Sequence, residues 1–146
     1  MGRIHVHFHG RIRERGWTQL IESYSQRLKD KGVKLEVHSA KLSVEQYLDL
    51  LLRKTTSQQL WLLDSDGASG NDEWLLSLWK EWRLSGKDIH LAIGPVDGFP
   101  PNRIEGVEGR ISLSPLIFTY EAACTLLLEQ LYRMSEIERG SPYHRG

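Results

Sequence analysis

The feature that most constrains this chain is its repeated switching between a two-residue and a helical hydrophobic period over short distances. Ile4 to His9 alternates apolar and polar residues, as a half-buried strand does, and Trp17, Leu20, Ile21, Tyr24 and Leu28 then recur at the spacing of one helix face. Gly32 marks a stop, and Val33 to His38 alternates again. Ser43 and Gln46 then form a capping-box pair ahead of Tyr47, Leu48, Leu51 and Leu52. A third unit runs from the apolar Leu60 to Leu63 through a Gly-rich segment, Asp66 to Gly70, into a helix carrying Trp74, Leu75, Leu78, Trp79 and Trp82. Ile89 to Ile93 predicts a fourth strand, Gly94 to Pro101 a loop, Ile111 to Leu113 a short fifth strand, and Tyr120 to Arg139 a last helix closed by Gly140.

Strands alternating with helices at this spacing predict an α/β domain with a mainly parallel sheet flanked by helices, and ligand sites in such folds lie in loops at the carboxyl ends of the strands. The loops after Leu63, Ile93 and Leu113 are therefore the places to look. With 146 residues and no linker or internal repeat, the expectation is one domain over 1–146. The Trp74, Trp79, Trp82 stripe reads first as core, with an oligomer interface as the alternative. The single cysteine, Cys124, lies in an apolar run and reads as a buried structural thiol. With no disulfide available and no continuous apolar segment near the start, a cytoplasmic protein outside the membrane is expected.

Net charge is zero, from 19 basic and 19 acidic residues, yet the charges are unevenly placed. Basic residues dominate from Met1 to Lys34 and acidic ones from Leu35 to Glu108. Arg11, Arg13 and Arg15 follow the first strand closely enough to form a basic rim, although a solvated charged loop would read the same way.

The common phosphate cradles are absent: no Gly-x-Gly-x-x-Gly follows a strand, and no Gly-Lys-Ser/Thr follows a Gly-rich loop. No Gly-x-Ser-x-Gly elbow supports a serine hydrolase. His5, His7 and His9 share one strand face at about 7 Å intervals, a spacing that could grip zinc with a further ligand. No cysteine or carboxylate is paired with them in sequence, so the favoured reading is three partly exposed or hydrogen-bonded histidines and no metal.

Four segments are more telling: Leu91 to Gly98 (LAIGPVDG), Ile111 to Leu116 (ISLSPL), Leu128 to Arg133 (LEQLYR) and Pro142 to Arg145 (PYHR). In this order and spacing they resemble the bacterial large-subunit ribosomal RNA pseudouridine N3-methyltransferases, the RlmH family of the SPOUT class. The likeness includes the opening strand with Gly10, the Leu62-Leu63-Asp64 strand end and the stretch from Trp82 to Asp88.

The resemblance implies a C-terminal trefoil knot, a homodimer, S-adenosyl-L-methionine as cofactor, and ribosomal RNA or the assembled ribosome as partner. By position, it places the cofactor against Leu63, Gly94 and the run Leu113, Ser114, Pro115, Leu116, Ile117 and Phe118. It implies catalytic roles for the tail residues Tyr143, His144 and Arg145, with His144 the titratable group nearest neutrality. Judged without the resemblance, that tail would read as a frayed terminus. RNA contact would fall to Arg11, Arg13, Arg15 and Arg133.

The chain departs from the family pattern at Pro95, where a glycine is usual and where proline removes a backbone donor, and at Ile117-Phe118-Thr119-Tyr120. The stretch between Val37 and Leu60 is shorter than usual. Two other readings compete: a SPOUT enzyme for another RNA such as transfer RNA, and a non-catalytic RNA-binding module for ribosome assembly.

Overall fold

The computed structural model describes residues 3–95, 98–102 and 105–143, and the backbone alone at 144 and 145. Five strands, β1 (Ile4–His9), β2 (Val33–His38), β3 (Gln59–Ala68), β4 (Ile89–Ile93) and β5 (Gly109–Ile111), form one sheet in the order β2-β1-β4-β3-β5. Every pairing is parallel, so the connecting helices must cover the faces. They are α1 (Arg15–Leu28), α2 (Val44–Lys54), α3 (Asp72–Leu84) and α4 (Tyr120–Arg139).

The alternation in β1 decides which side chains go where. Ile4, Val6 and Phe8 join Ile21 and Leu28 of α1, Trp79 and Trp82 of α3, and Leu127, Leu128 and Leu131 of α4 in the larger apolar core. The opposite face is covered by α2, whose Tyr47, Leu48 and Leu51 pack on Leu60, Leu62 and Ala92. Three helices thus share one face and a single helix serves the other. β4 is buried along its whole length, as suits the central strand.

Local signals explain most boundaries. Ser43 accepts from the Gln46 main-chain N–H at 3.1 Å while the Gln46 side chain accepts from Ser43 N–H at 2.8 Å, completing the capping box of α2. Thr119 caps α4, and Gly140, with φ 82°, ends it in the left-handed region that glycine enters freely. Trp79 and Trp82 are buried as the stripe predicted, and Trp74 packs partly buried beside them. Leu20, expected on the buried face of α1, is 45% exposed.

Two boundaries differ from expectation. β3 does not stop near Asp64 but continues, through a bulge, to Ala68. Gly67 permits this, because a Cβ there would come 2.6–2.8 Å from main-chain atoms of Arg110 and Ile111. β5 is Gly109–Ile111 rather than Ile111 to Leu113. Its start is fixed by Gly109, where a Cβ would press on the Trp61 ring at 2.9 Å. Among the described residues no helix is long and apolar enough to cross a membrane.

Candidate functional site

A cavity of about 610 Å³ opens at the carboxyl ends of β3, β4 and β5. Leu63 lines it from β3 and Gly94 from the loop after β4. Leu113, Ser114, Leu116, Ile117 and Phe118 line it from the segment between β5 and α4. All the residues assigned to the cofactor by resemblance therefore lie around one hollow except Pro115, which is not in its lining. Leu116 and Ile117 are 69% and 82% exposed, so the outer wall presents apolar surface to solvent.

The segment from Ser112 to Leu116 is shaped by its own serines. Ser112 Oγ donates to the Ser114 carbonyl at 2.6 Å and accepts from Ser114 N–H at 3.2 Å, and Ser114 Oγ accepts from Leu116 N–H at 3.0 Å. Short side chains that satisfy neighbouring backbone groups hold such a loop open without a helix or strand. Gly94 stands where a Cβ would meet the Phe99 ring at 3.2 Å and the Leu63 carbonyl at 3.4 Å, so glycine lets the loop after β4 pack closely on both at the cavity wall. Asp97 of the LAIGPVDG segment lies outside the described residues.

Sequence reasoning missed the floor of this cavity. The Arg110 guanidinium meets Asp64 Oδ2 at 2.7 Å and also donates to the Pro100 carbonyl, joining β5, β3 and the loop after β4. Tyr47 of α2 donates to the Ile93 carbonyl at 3.2 Å from the opposite face. Tyr47 and Ile93, like Arg110 and Asp64, stand 46 residues apart, and no local pattern links them.

The basic rim sits beside the cavity for a definite reason. Tyr120 lines the cavity and its hydroxyl donates to the Arg11 carbonyl at 3.3 Å, while Arg13 N–H donates to Glu121 at 3.2 Å. The head of α4 thus holds the Arg11 to Arg15 segment, and Arg11, Arg13 and Arg15 are exposed. Arg133 lies 13 residues further along α4, about 20 Å from Tyr120 at the helical rise. There it pairs with Glu129 at 3.3 Å and stands over the Tyr143 ring at 5.4 Å.

Tyr143 is correspondingly distant from the cavity of its own chain. Its ring meets Tyr132 edge-on at 4.8 Å, and its hydroxyl lies 3.2 Å from Glu129 Oε2 and 3.2 Å from the Tyr24 hydroxyl. None of these neighbours lines the cavity. Burial, then the Tyr24 and Glu129 neighbours, raise the Tyr143 hydroxyl pKa above the ordinary range. The side chains of His144 and Arg145 lie outside the described residues. Cys124 is fully buried in the core, and desolvation pushes its thiol up to about 12, which suits an inert packing residue.

Comparison with known proteins agrees with this geometry. "Ribosomal RNA large subunit methyltransferase H" of Cereibacter sphaeroides strain KD131 is 31% identical over 146 residues, 93% of this chain and 94% of the relative. The protein of the same name from Paracidovorax citrulli is 40% identical over 83 residues, 57% of this chain and 54% of that one. The one from Psychrobacter strain PRwf-1 is 35% identical over 94 residues, 64% and 58% respectively. Residues 2–144 match the family described as "Predicted SPOUT methyltransferase". With a parallel sheet, a three-loop cavity at its carboxyl edge and a full-length match, the chain belongs to the SPOUT methyltransferase family.

Proposed function

We propose that this chain is an S-adenosyl-L-methionine-dependent methyltransferase acting on N3 of a pseudouridine in large-subunit ribosomal RNA. The observation that carries the reading is the cavity itself, a hollow at the carboxyl ends of three parallel strands lined by apolar side chains of the Leu113 to Phe118 segment on one side and by Asp64, Asp66 and Arg110 on the other. Its volume and lining fit a ligand that is part aromatic and part zwitterion. Asp66 at the edge supplies negative charge suited to a sulfonium or an ammonium, while Asp64 is paired with Arg110. When bound, the cofactor supplies an electrophilic methyl group.

The chain's own task is then mainly positioning, since in-line displacement depends on distance and direction. Gly94 and Leu63 would face the adenine, and the Ser114 to Phe118 wall would bend the ligand. The pseudouridine N3 must lose its proton, and His144 in the tail is the group assigned to take it. Tyr143 would orient the base, and Arg145 would hold a phosphate or the cofactor carboxylate. Because Tyr143 lies against α1 and α4 of its own chain, the tail of a second copy is the better source of these groups, which makes a homodimer part of the reading. The trefoil knot implied by the family belongs to it as well. Arg11, Arg13 and Arg15 would bind the RNA backbone beside the cavity, with Arg133 serving a more distant stretch.

Calorimetric titration with S-adenosyl-L-methionine, beside a Gly94→Trp variant of unchanged fold, is the test. Saturable binding lost in the variant, followed by methyl transfer to ribosomes, is expected. Methylation of transfer RNA instead would move the substrate assignment. RNA binding without cofactor binding, even with ribosomes present, would replace the enzyme with an assembly module.

A further inference from the structure

A dense group of titratable side chains lies on the other face of the sheet, under α2 and away from the cavity. The alternation in β1 sends His5 and His7 to this face, and the strand registers set His90 of β4 beside His5 and Glu36 of β2 beside His7. The rings of His5 and His90 stack with centroids 4.5 Å apart and planes within 6°, while His7 lies 5.1 Å from both His90 and His38.

Most of the nitrogens are accounted for. His38 Nε2 reaches His7 Nδ1 at 2.8 Å, His7 Nε2 reaches His90 Nδ1 at 2.8 Å, and His90 Nε2 reaches the Gln58 side-chain oxygen. One set of tautomers satisfies this row: each Nε2 donates and each Nδ1 accepts, ending at Gln58.

His5 is different. Its Nε2 donates to Asp88 Oδ2 at 3.0 Å, which leaves Nδ1 as a lone-pair acceptor. That Nδ1 is buried and has no hydrogen-bond partner among the described residues. It faces Glu36 Oε2 at 3.7 Å, and the same oxygen stands 3.5 Å from His7 Nδ1, while Lys54 takes the other carboxylate oxygen at 3.4 Å. With His5 neutral these are electron-pair donors facing one another, an arrangement that a cation between them relieves. Ligand atoms held tetrahedrally about 2.0–2.1 Å from zinc stand about 3.3 Å apart, close to the 3.7 Å between His5 and Glu36. His5, Glu36 and His90 each offer one donor atom, all within 4.8 Å of one another.

We propose that His5, Glu36 and His90 bind one zinc-class divalent ion on the α2 face, with water completing the shell. Asp88 is the outer carboxylate that fixes the His5 tautomer. Closing from 4.8 Å requires the His90 ring to tilt from its stack so that Nδ1, the lone-pair nitrogen, exchanges its hydrogen bond from His7 for the metal while Nε2 keeps Gln58. The ion would tie β2, β1 and β4 together and is independent of methyl transfer. The carboxylate that was lacking beside the histidines in sequence is thus supplied by the neighbouring strand.

The full chain, stripped with chelator and titrated with zinc chloride, should take up one zinc per chain and melt at a higher temperature. Glu36→Gln and His5→Asn should each weaken zinc by about ten-fold or more with an unchanged circular dichroism spectrum, and Asp88→Asn by about 10- to 100-fold. Nitrogen-15 spectra of the unaltered chain provide a readout that needs no variant to fold: zinc should shift His5 Nδ1 and a His90 nitrogen. The absence of saturable binding, zinc binding indifferent to both variants, or shifts confined to His9 and His144 would each overturn the proposal.

Discussion

Arg110 and Asp64 meet at 2.7 Å at the cavity wall, with side chains only 17% and 10% exposed, and the pair adds a side-chain tie to the main-chain ladder between β5 and the bulged end of β3. Removing the carboxylate would leave a largely buried guanidinium with, among the described residues, the Pro100 carbonyl as its hydrogen-bond partner. Asp64→Ala should therefore cost about 3 kcal/mol of stability, in the range found when one partner of a buried pair is deleted. It should also weaken S-adenosyl-L-methionine by at least about ten-fold, or about 1.4 kcal/mol. Urea unfolding and calorimetry check the two effects separately; wild-type values in both would show that the pair organises nothing.

Two glycines with opposite surroundings make a paired test. Gly67→Ala would drive a methyl group into the Ile111 main chain, so a loss of about 2–3 kcal/mol is expected, the upper range for overpacking. Gly16, in the first turn of α1, has nothing within 4 Å of its would-be Cβ, and Gly16→Ala should gain about 0.5 kcal/mol through helix propensity. Equal responses in thermal unfolding would contradict the close approach of β3 to β5.

The histidine row sets an acid limit on stability. Desolvation first, then neighbouring histidines and Lys54, lower His7 to about 2; desolvation first also lowers His90, to about 4, and His38 below its usual value. As pH falls below about 6.5 the unfolded chain binds protons that these folded imidazoles refuse, so stability must fall with pH in that window. Asp88 and Glu136, with lowered carboxyl values, add to the loss only in the more acidic range where carboxylates titrate. Urea midpoints of chelator-treated protein should drop steadily from pH 7 to pH 4.5, and His7→Gln should flatten the slope. A flat profile over that interval would mean the row takes up protons while folded.

Arg13 is held through its main chain to Glu121 while its side chain remains exposed, so changing the side chain spares the anchor. Arg13→Glu should weaken ribosomal RNA binding by about ten-fold at moderate salt and reduce the salt slope by about one to two, with cofactor affinity unchanged. Filter binding across a salt series separates this from a structural effect, which would lower both affinities.

Much of the molecule could be read before any coordinates. The hydrophobic pattern located the five described strands and four helices, the fifth strand two residues out of place, and Ser43 with Gln46 and Gly140 marked where helices begin and end, because capping chemistry acts over three or four residues. Leu63, Gly94 and the Leu113 to Phe118 run were legible as cofactor candidates only through their resemblance to a family, since nothing in their own spacing distinguishes a ligand loop from any other.

Tertiary structure decided what short range could not. β3 runs on to Ala68 because Gly67 lies against a strand more than forty residues away, and Tyr143 lies on its own α1 and α4, not at its own cavity. Asp64 found Arg110, and His5 found Glu36 and His90, across a parallel sheet. In such a sheet neighbouring strands are separated by whole crossovers, so the partners that fix a charge or complete a ligand set are remote in sequence, whereas periodicity and caps report only on the chain's immediate neighbours.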